Sequence, residues 1–434
     1  MKKPQKTLLA LALALLLTLG AGLTLVALRR PKAVPAPPAE GLTIWGWDYT
    51  IRDAFEEYRL SHPNIELNFV YVPANDYENR LKLALATGEA LPDICILQSE
   101  IRRELLSLDI WENLEQAPYG MQREELLEYS IPTVEGPDGS LRAVPYDVSA
   151  SGIAYRRSLA RATIQTDDPI QVAVTFNSWA DLLSKGAAIQ AERPDFFLFA
   201  SAEDAAVILY GQTNEPYIRQ NAMVNPHRFY NYFQVLTALR DAKLVDKLAQ
   251  WSPSWYNSFR EENYLFYPCP LWLPQRGVFG DGDGAWGYAV PPSGSFDWGG
   301  TAWAIPKDGK NKTLAWDFTR AMLLSKAGAI YNKNKENGVF ISYKPAYEME
   351  GYKVLTYPDF GSQDIGQIYF DKLLPGVQAR QAGEHDSVVQ SAYRAAVARI
   401  VNEPTLTTGE VYAGFLQTIA QALPDVALGE KEAP

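Results

Sequence analysis

The sequence is poor in the residue types that most often carry covalent or metal chemistry. Its 434 residues include two cysteines, Cys95 and Cys269, and three histidines. Two cysteines cannot form a disulfide framework or a cysteine-rich zinc site. Cys95 lies inside an apolar run, where a packed core thiol is expected. There is no HExxH, G-x-S-x-G or P-loop pattern. The sequence therefore predicts no metal, no cofactor and no catalytic residue.

Positive charge is scarce beyond the N-terminus. The first 39 residues carry six basic side chains and no acidic ones, so residues 40–434 hold 34 Lys and Arg against 51 Asp and Glu. A body this acidic is a poor match for nucleic acid or for an anionic surface. We therefore expect no nucleic-acid partner, and membrane contact through the N-terminal segment only.

The N-terminal 40 residues have the pattern of an export segment. Met1–Lys6 is basic, Leu8–Leu28 is a largely apolar run of 21 residues without charge, and Pro31–Ala39 is rich in proline. The run is longer than the ~7–15 residues usual for a cleaved signal and close to the ~20 that a membrane span needs. We predict an uncleaved membrane anchor followed by an extended spacer. A cleaved signal peptide is the alternative, and both place the rest of the chain outside the membrane.

Residues 42–99 alternate strand-like and helix-like patterns. Short apolar runs at Leu42–Trp45 and Ile94–Leu97, and a period of two over Ile65–Tyr71, predict three strands. Between them, helical stripes begin near Ile51 and near Asp76, the second ending at Gly88. Asp76 is predicted to be the N-cap. Two helices crossing between three strands predict a parallel α/β sheet, with ligands at the carboxyl ends of the strands.

The same stretch resembles the N-terminal lobe of the family 1 extracellular solute-binding proteins, the maltose-binding-like receptors of bacterial ABC importers. The family patterns "TIW.WD", "F...(H/Y)P.I.V" and "DY..KL..A.ATG..PDI" match Thr43–Asp48, Phe55–Leu67 and Asp76–Ile94. Ala143–Arg156 and Trp286–Pro306 are similar to the two segments that cross between lobes in that family, and Asn311–Leu324 to the helix that follows. The resemblance extends from about Leu42 onward.

The resemblance implies a two-lobe α/β fold, each lobe a mostly parallel sheet flanked by helices, with a ligand cleft between the lobes. It assigns residues 41–148 and 299–324 to lobe 1 and residues 149–298 and 325–434 to lobe 2. The chain is expected to cross between lobes near Tyr146–Gly152, Ser293–Gly300 and Leu323–Lys326. Many members carry a lipidated cysteine after the apolar run, and this sequence has none there, so we predict that it is not a lipoprotein.

Aromatic and acidic residues at strand ends are what a sugar site requires. A pyranose offers an apolar C–H face to a flat ring, and its hydroxyls need fixed donors and acceptors. Trp45 is also an aromatic residue at a strand end, but its side chain could point into the core. Trp303 lies within a strand and is predicted to be structural. Together with the positions that the resemblance implies, the candidate ligand-binding residues are Trp47, Asp48, Tyr49, Gln98, Ser99, Tyr146, Asp147, Trp272, Trp298 and Gly300.

Two further motifs have simpler explanations. Gly282–Gly287 matches G-x-G-x-x-G, but it leads into a strand-like stretch instead of a helix, which argues against a dinucleotide site. Asp281 and Asp283 lack the remainder of an EF-hand calcium loop. A turn accounts for both patterns.

The sequence thus predicts a monomeric, exported receptor that binds an oligosaccharide or sugar and delivers it to the permease subunits of an ABC importer. Two alternatives stay open at this point. A sugar-binding surface sensor or adaptor would need the same cleft without transport. A glycan-acting enzyme on the same scaffold would need a carboxylate pair in the cleft.

Overall fold

The computed structural model describes residues 41–47, 49–213, 215–280, 282–334, 338–377, 383 and 385–429, without the side chain of residue 75. The expected N-terminal segment, the candidate ligand residue Asp48 and the turn residue Asp281 lie outside the described residues. Among the helices that are described, none has the length and apolar character needed to cross a membrane.

Strands are short and fall into three sheets. They are β1 Gly41–Gly46, β2 Glu66–Tyr71, β3 Ile94–Gln98, β4 Ala143–Pro145, β5 Ala150–Arg156, β6 Phe197–Phe199, β7 Ile218–Arg219, β8 Ala222–Met223, β9 Tyr264–Pro270, β10 Trp286–Ala289, β11 Phe296–Asp297 and β12 Thr301–Ala304.

Helices flank the two larger sheets. They are α1 Thr50–Arg59, α2 Ala74–Thr87, α3 Ser99–Leu106, α4 Arg157–Ile164, α5 Pro169–Thr175, α6 Trp179–Glu192, α7 Ala202–Gly211, α8 His227–Asp241, α9 Pro253–Ser258, α10 Lys312–Leu323, α11 Lys326–Asn334, α12 Ile365–Ile368, α13 Leu374–Gly376, α14 Asp386–Asn402 and α15 Thr408–Ala422. Short 3-10 turns occur at Arg123–Glu125, Glu128–Thr133, Pro274–Arg276, Lys344–Glu348 and Pro358–Phe360, and a π turn at Tyr369–Leu373.

The first sheet confirms the pattern predicted for residues 42–99. Its strand order is β2-β1-β3-β12-β4, and β1 runs parallel to both β2 and β3. Strands β12 and β4 join it in antiparallel pairs, β12 against β3 and β4 against β12. The carboxyl ends of β1 and β3 therefore meet at one edge of the sheet, beside the start of β12, where Thr301 pairs with Gln98.

The predicted helix stripes are also observed, with one correction. The helical stripe that begins at Ile51 forms the buried face of α1, with Ile51, Ala54, Phe55 and Tyr58 in the core, and Gly88 ends α2 with a left-handed φ of 69°. The N-cap of α2 is Pro73, without a side-chain cap, and Asp76 lies inside the first turn. The prediction of Asp76 as the cap was wrong because Pro73, which fits helix starts well, precedes it by three residues, and the helix begins at Ala74.

The second sheet is mixed instead of mostly parallel. Its order is β10-β5-β9-β6, with β11 also pairing with β5. Strand β5 is antiparallel to β9, β10 and β11, and only β6 pairs with β9 in parallel. The chain passes from β4 of the first sheet directly into β5 without an intervening helix. The direction of β5 is therefore set by where the chain enters the second sheet and not by a helical crossover. The expectation of a mostly parallel sheet was wrong here for that reason.

Three extended segments lie side by side where the two sheets meet. The Tyr146 amide donates to the Thr301 carbonyl, and the Trp298 amide donates to the Ser149 carbonyl, at 2.9 and 3.1 Å. The Val148 amide donates to the Phe340 carbonyl at 3.0 Å, and Asp147 forms a β-bridge with Ile341. After α10, the chain enters α11, which packs back on α10 and places the Asn332 side chain 3.4 Å from the Tyr146 hydroxyl.

Candidate functional site

A cavity of about 930 Å³ lies between the two sheets. Its walls come from the strand ends of the first sheet, from the segments that join the sheets, and from α7, α14 and the loops around β9 in the second half of the structure. The lining residues are Trp47, Thr50, Ala74, Glu78, Gln98, Glu100, Ile101, Tyr146, Asp147, Glu203, Ala206, Val207, Tyr210, Gln250, Trp251, Trp272, Gln275, Arg276, Trp298, Gly299, Gly300, Thr301, Val339, Gln390, Tyr393, Arg394 and Val397.

The first sheet contributes Trp47, Gln98 and Tyr146 to this cavity. Trp47 follows β1 and packs edge-on against the buried Tyr77, with ring centroids 4.9 Å apart. Tyr146 follows β4 and stacks on the buried Trp303 at 5.7 Å and 20°. These rings are fixed from behind by core aromatics, so their orientation does not depend on a ligand.

Asp147 forms a polar point on the cavity floor. Its Oδ1 accepts hydrogen bonds from the amide and the hydroxyl of Thr301, at 2.7 and 3.1 Å. Burial raises the pKa of this carboxyl, while the Thr301 bonds and the Arg102 guanidinium act in the opposite direction. Burial lowers the pKa of Arg102 in turn, and the nearby carboxylates of Asp297 and Asp147 oppose that shift. The floor is therefore a charged network held at low solvent exposure.

Three tryptophans form an apolar wall of the same cavity. Trp251 stacks on Trp272 with centroids 6.0 Å apart and planes 27° apart, and it lies 5.7 Å from Trp298. Trp272 meets Trp298 at 5.2 Å and 62°, so the wall has two faces at an angle. The Arg276 guanidinium lies 5.2 Å from the Trp272 ring, a cation–π distance.

Two adjacent glycines allow the backbone to pass directly under this wall. Gly299 and Gly300 have φ values of 97° and 85°, a region that favours glycine. A Cβ on Gly299 would lie 2.9 Å from Nε1 of Trp272, and one on Gly300 would lie 3.2 Å from the Ser149 hydroxyl. The predicted position Gly300 is thus required for backbone geometry as well as for access to the cavity.

Several acidic side chains line the cavity, and each has a partner. Glu78 pairs with Lys82 at 2.7 Å, and Glu203 accepts the Gln250 amide at 2.7 Å. Glu100 lies 3.7 Å from Arg394, on the facing helix α14. Within the part of the chain that the structure describes, no group of three or more His, Cys, Asp or Glu could hold a metal ion.

The structure brings most of the predicted positions to the cavity, with three exceptions. Tyr49 is half exposed outside the lining and stacks on Tyr71 at 5.8 Å. Ser99 lines a smaller adjoining pocket of about 50 Å³. Asp48 is outside the described residues. Trp303 is buried in the core as predicted, and Trp45, at the end of β1, is buried there too.

Trp251 is the most prominent lining residue that the sequence did not indicate. It follows no strand, its φ is 69°, and 39% of its surface is exposed. A pattern search for residues at strand ends cannot find it, because it lies in a turn between Gln250 and α9. The same holds for Arg276, Tyr393 and Arg394, which reach the cavity from a 3-10 turn and from the face of α14.

A family model described as "Bacterial extracellular solute-binding protein" matches residues 50–336 of this chain. The lactose-binding protein of Rhizobium radiobacter is 24% identical over 181 residues, which are 38% of this chain and 40% of that protein. The aligned region thus spans two fifths of that curated relative.

Solved structures of the same shape cover nearly the whole chain. An extracellular solute-binding protein of family 1 superposes with a TM-score of 0.77 at 23% identity, covering 88% of this chain and all of that one. A binding protein from B. animalis subsp. lactis, solved with beta-1,6-galactobiose, gives 0.71 at 16% identity, covering 90% and 100%. The GacH receptor of Streptomyces glaucescens, solved free and with acarbose, gives 0.70 at 16%, covering 89% and 99%. These likenesses confirm the two-lobe fold.

Proposed function

Because this chain belongs to the family of bacterial extracellular solute-binding proteins, we propose that it captures a sugar or an oligosaccharide in its interlobe cavity and delivers it to an ABC importer. One observation carries the proposal. An angled wall of Trp251, Trp272 and Trp298 lines the same cavity as the fixed polar groups of Asp147 and Thr301. Flat apolar surface together with fixed hydrogen-bonding groups suits the C–H face and the hydroxyls of a pyranose.

The relatives support the same ligand class. The curated relative is named for lactose, and two of the similar structures hold acarbose or beta-1,6-galactobiose. The cavity of about 930 Å³ is large for a single small ligand, since binding cavities commonly measure roughly 300–1,000 Å³. An oligosaccharide fits this volume better than a monosaccharide does.

We propose that the ligand contacts residues of both lobes. Lobe 1 would supply the ring of Trp47 and the polar groups of Gln98 and Asp147, and lobe 2 the tryptophan wall. Trp251 is added to the positions proposed from the sequence. The remaining positions from that set, which stay predictions, are Asp48, Tyr49, Ser99, Tyr146 and Gly300.

Lobe closure about a hinge would then couple binding to delivery. A ligand that touches both lobes favours the closed state by its differential affinity for that state. Two of the proposed crossings lie in the adjacent segments around Asp147 and Trp298. We propose that the third crossing is Val339–Ile341 instead of Leu323–Lys326, because α11 packs back on α10 before the chain reaches the segment beside Val148. The other lobe boundaries remain as predicted from the sequence.

The cavity favours binding without turnover. Each of Glu78, Glu100, Asp147 and Glu203 is held by a cation or by hydrogen bonds. A glycosidase needs two carboxyl groups that flank the scissile bond. We therefore propose a receptor and not an enzyme, acting outside the membrane with permease subunits as its partners. Anchoring by residues 1–40 stays a prediction.

A thermal-shift panel tests the function. The purified protein is heated with mono- to tetrasaccharides, and with amino acids and polyamines as controls, since a ligand of the native state raises the melting temperature in a concentration-dependent way. We expect a shift with one group of glycans, lost in Trp298→Ala and retained in Asp109→Asn, a substitution at an exposed surface carboxylate. A shift with an amino acid or polyamine and with no sugar would contradict the carbohydrate proposal.

A further inference from the structure

Trp251 is held in its turn by two consecutive carboxylates at the start of α7. Glu203 accepts the Gln250 backbone amide at 2.7 Å, and Asp204 accepts the Gln250 side-chain amide at 2.9 Å. Asp204 also accepts the indole N–H of Trp255 at 3.1 Å. Both residues that bracket the turn at Trp251 are therefore fixed to the same helix terminus.

The turn needs such support because its backbone is strained. Trp251 has a φ of 69°, a region that large side chains seldom adopt, and 39% of its surface is exposed. Its ring packs on Trp255 at 5.0 Å and on the two other tryptophans of the wall. Without the anchors at Gln250 and Trp255, the strain would favour a different position of this ring.

We propose that Asp204 is a positioning residue, which holds Trp251 against Trp272 and Trp298 in its ionised form and releases it when protonated, so that ligand affinity falls at acidic pH. The part that concerns affinity rests on the proposed function. Asp204 is fully buried and does not line the cavity, so it acts through Gln250 and Trp255 and not by touching the ligand.

The hydrogen bonds give the reason for a pH response. The partners of Asp204 in the described contacts are all donors: the Gln250 amide, the Trp255 indole and the Ser201 backbone N–H at 3.1 Å. A proton on either oxygen faces these N–H donors, finds no acceptor among them, and competes with their bonds for the oxygen lone pairs. Burial raises the pKa of Asp204 to about 7, and the bonds from Trp255 and Gln250 oppose the rise.

Among the titratable groups around Asp204, Asp204 itself is the one that we expect to change charge near neutral pH. Glu203, beside it on α7, raises its pKa. Burial raises the pKa values of Tyr267 on β9 and of Tyr393 on α14, so both phenols are neutral in this range. Lys247 meets the start of α7 through a backbone bridge to Ser201, with its side chain exposed.

The first test needs no ligand. Tryptophan emission of the full-length protein is recorded from pH 5 to pH 9, and the emission of a Trp251→Phe variant is subtracted, which isolates Trp251. We expect a transition centred near pH 7 in the wild type and none in Asp204→Asn, each compared with its own Trp251→Phe partner. The matched control is Asp181→Asn, because Asp181 occupies the same capping position in α6, bonded to Ser178, away from the cavity.

A second variant keeps the test decisive if Asp204→Asn does not fold. Gln250→Leu removes one donor that stabilises the carboxylate, so the midpoint of the Trp251 transition should move to higher pH. A wild type without a transition, a transition that survives in Asp204→Asn, or an unchanged midpoint in Gln250→Leu would each overturn the proposal.

Lactose serves as the binding probe, by titration calorimetry at pH 5.5 and pH 8. We expect Asp204→Asn to bind lactose roughly tenfold more weakly than the wild type at pH 8, the fold-change that corresponds to one hydrogen bond to a charged group. Equal affinity would overturn the positioning role. If the wild type shows the Trp251 transition but no lactose binding, the positioning of Trp251 stands, and lactose fails as the ligand of the proposed function.

Discussion

At the scale of single residues, each tryptophan of the cavity wall is held by a different device. Trp272 lies over Gly299, where a Cβ would come within 2.9 Å of its Nε1. The backbone amide of Trp298 donates to Ser149 in the neighbouring crossing segment. Trp251 is held through Gln250 and Trp255. A stacking surface for a ligand is thus built by fixing rings from behind instead of by ligand-induced ordering, which reduces the entropy cost of binding.

Gly299→Ala should lower both stability and affinity. The alanine would have to adopt the positive φ of Gly299, and its Cβ would press against Trp272. We expect a cost of about 1–3 kcal/mol in the free energy of unfolding. We expect a smaller sugar-induced thermal shift in this variant, measured alongside denaturant unfolding. Gly409→Ala is the control, because a Cβ on Gly409 would meet no atom within 4 Å and alanine favours a helix. Equal losses in both variants would contradict the role of the close approach.

Asp204 should make stability fall as the pH rises from 4 to 8. Its pKa is about 7 in the folded protein, against roughly 3.9 in an unfolded chain. Between these values the unfolded chain has already lost the proton and the folded one keeps it, so the free energy of unfolding decreases with rising pH. The decrease is on the order of 4 kcal/mol at about 1.36 kcal/mol per pKa unit. Urea unfolding at pH 4 and pH 8 should show this decrease in the wild type and not in Asp204→Asn, and an equal pH dependence in both would contradict it.

At the scale of elements, side-chain caps decide where several helices of the second half begin. Ser178 caps α6, and Ser201 and Thr407 form capping boxes at α7 and α15 with Asp204 and Glu410. The box at α7 has a second role, since its acidic member also binds Trp255 and Gln250. The box at α15 bonds only within its own first turn in the described contacts, so its effect should be confined to stability.

Thr407→Ala should cost about 1 kcal/mol of stability, the usual loss for removing an N-cap side chain. The sugar-induced thermal shift should be unchanged, because α15 does not line the cavity. Thr418→Ala in the same helix is the matched control. Its hydroxyl is exposed and bonds to the Gly414 carbonyl, so its substitution should change the free energy of unfolding by less than about 0.5 kcal/mol. Equal losses of stability in urea for both variants would contradict the capping role of Thr407.

At the scale of the whole molecule, helices α3 and α14 bring the two halves together across the cavity. Arg394 lies 3.7 Å from Glu100, and the Ser387 hydroxyl lies 3.3 Å from Glu104. Glu104 also pairs with Lys82 at 2.8 Å. These contacts are polar and partly exposed, so they can break and re-form at low cost when the lobes move.

Arg394→Ala should weaken sugar binding by less than about fivefold, because an exposed pair contributes at most about 1 kcal/mol. The loss should shrink at high salt, where the Glu100 contact is screened. Calorimetry at low and high salt measures both effects, using the saccharide with the largest thermal shift. Arg59→Ala is the control, since its pair with Glu56 lies on α1, away from the cavity. A salt-independent loss would mean that Arg394 contacts the sugar directly.

Much of the fold could be predicted from local patterns. The alternation of two-residue and 3.6-residue periods between Leu42 and Ser99 predicted three strands and two helices, because those periods follow directly from backbone geometry. Gly88 was predicted as a helix end because glycine adopts the left-handed φ that such an end requires. The directions of β5 and β9 were not, because strand pairing depends on where the chain enters the sheet, which short-range periodicity does not encode.

For the cavity, the sequence patterns indicated residues at strand ends such as Trp47 and Gln98, since the carboxyl edge of a parallel sheet is a general place for ligands, and the family resemblance added Asp147. Only the tertiary structure placed Trp251 in the wall and linked it to Asp204. These two residues are far apart in the sequence, and neither belongs to a local pattern that indicates a site. Their relation depends on long-range packing of α7 against the turn before α9, which is decided when the whole chain folds.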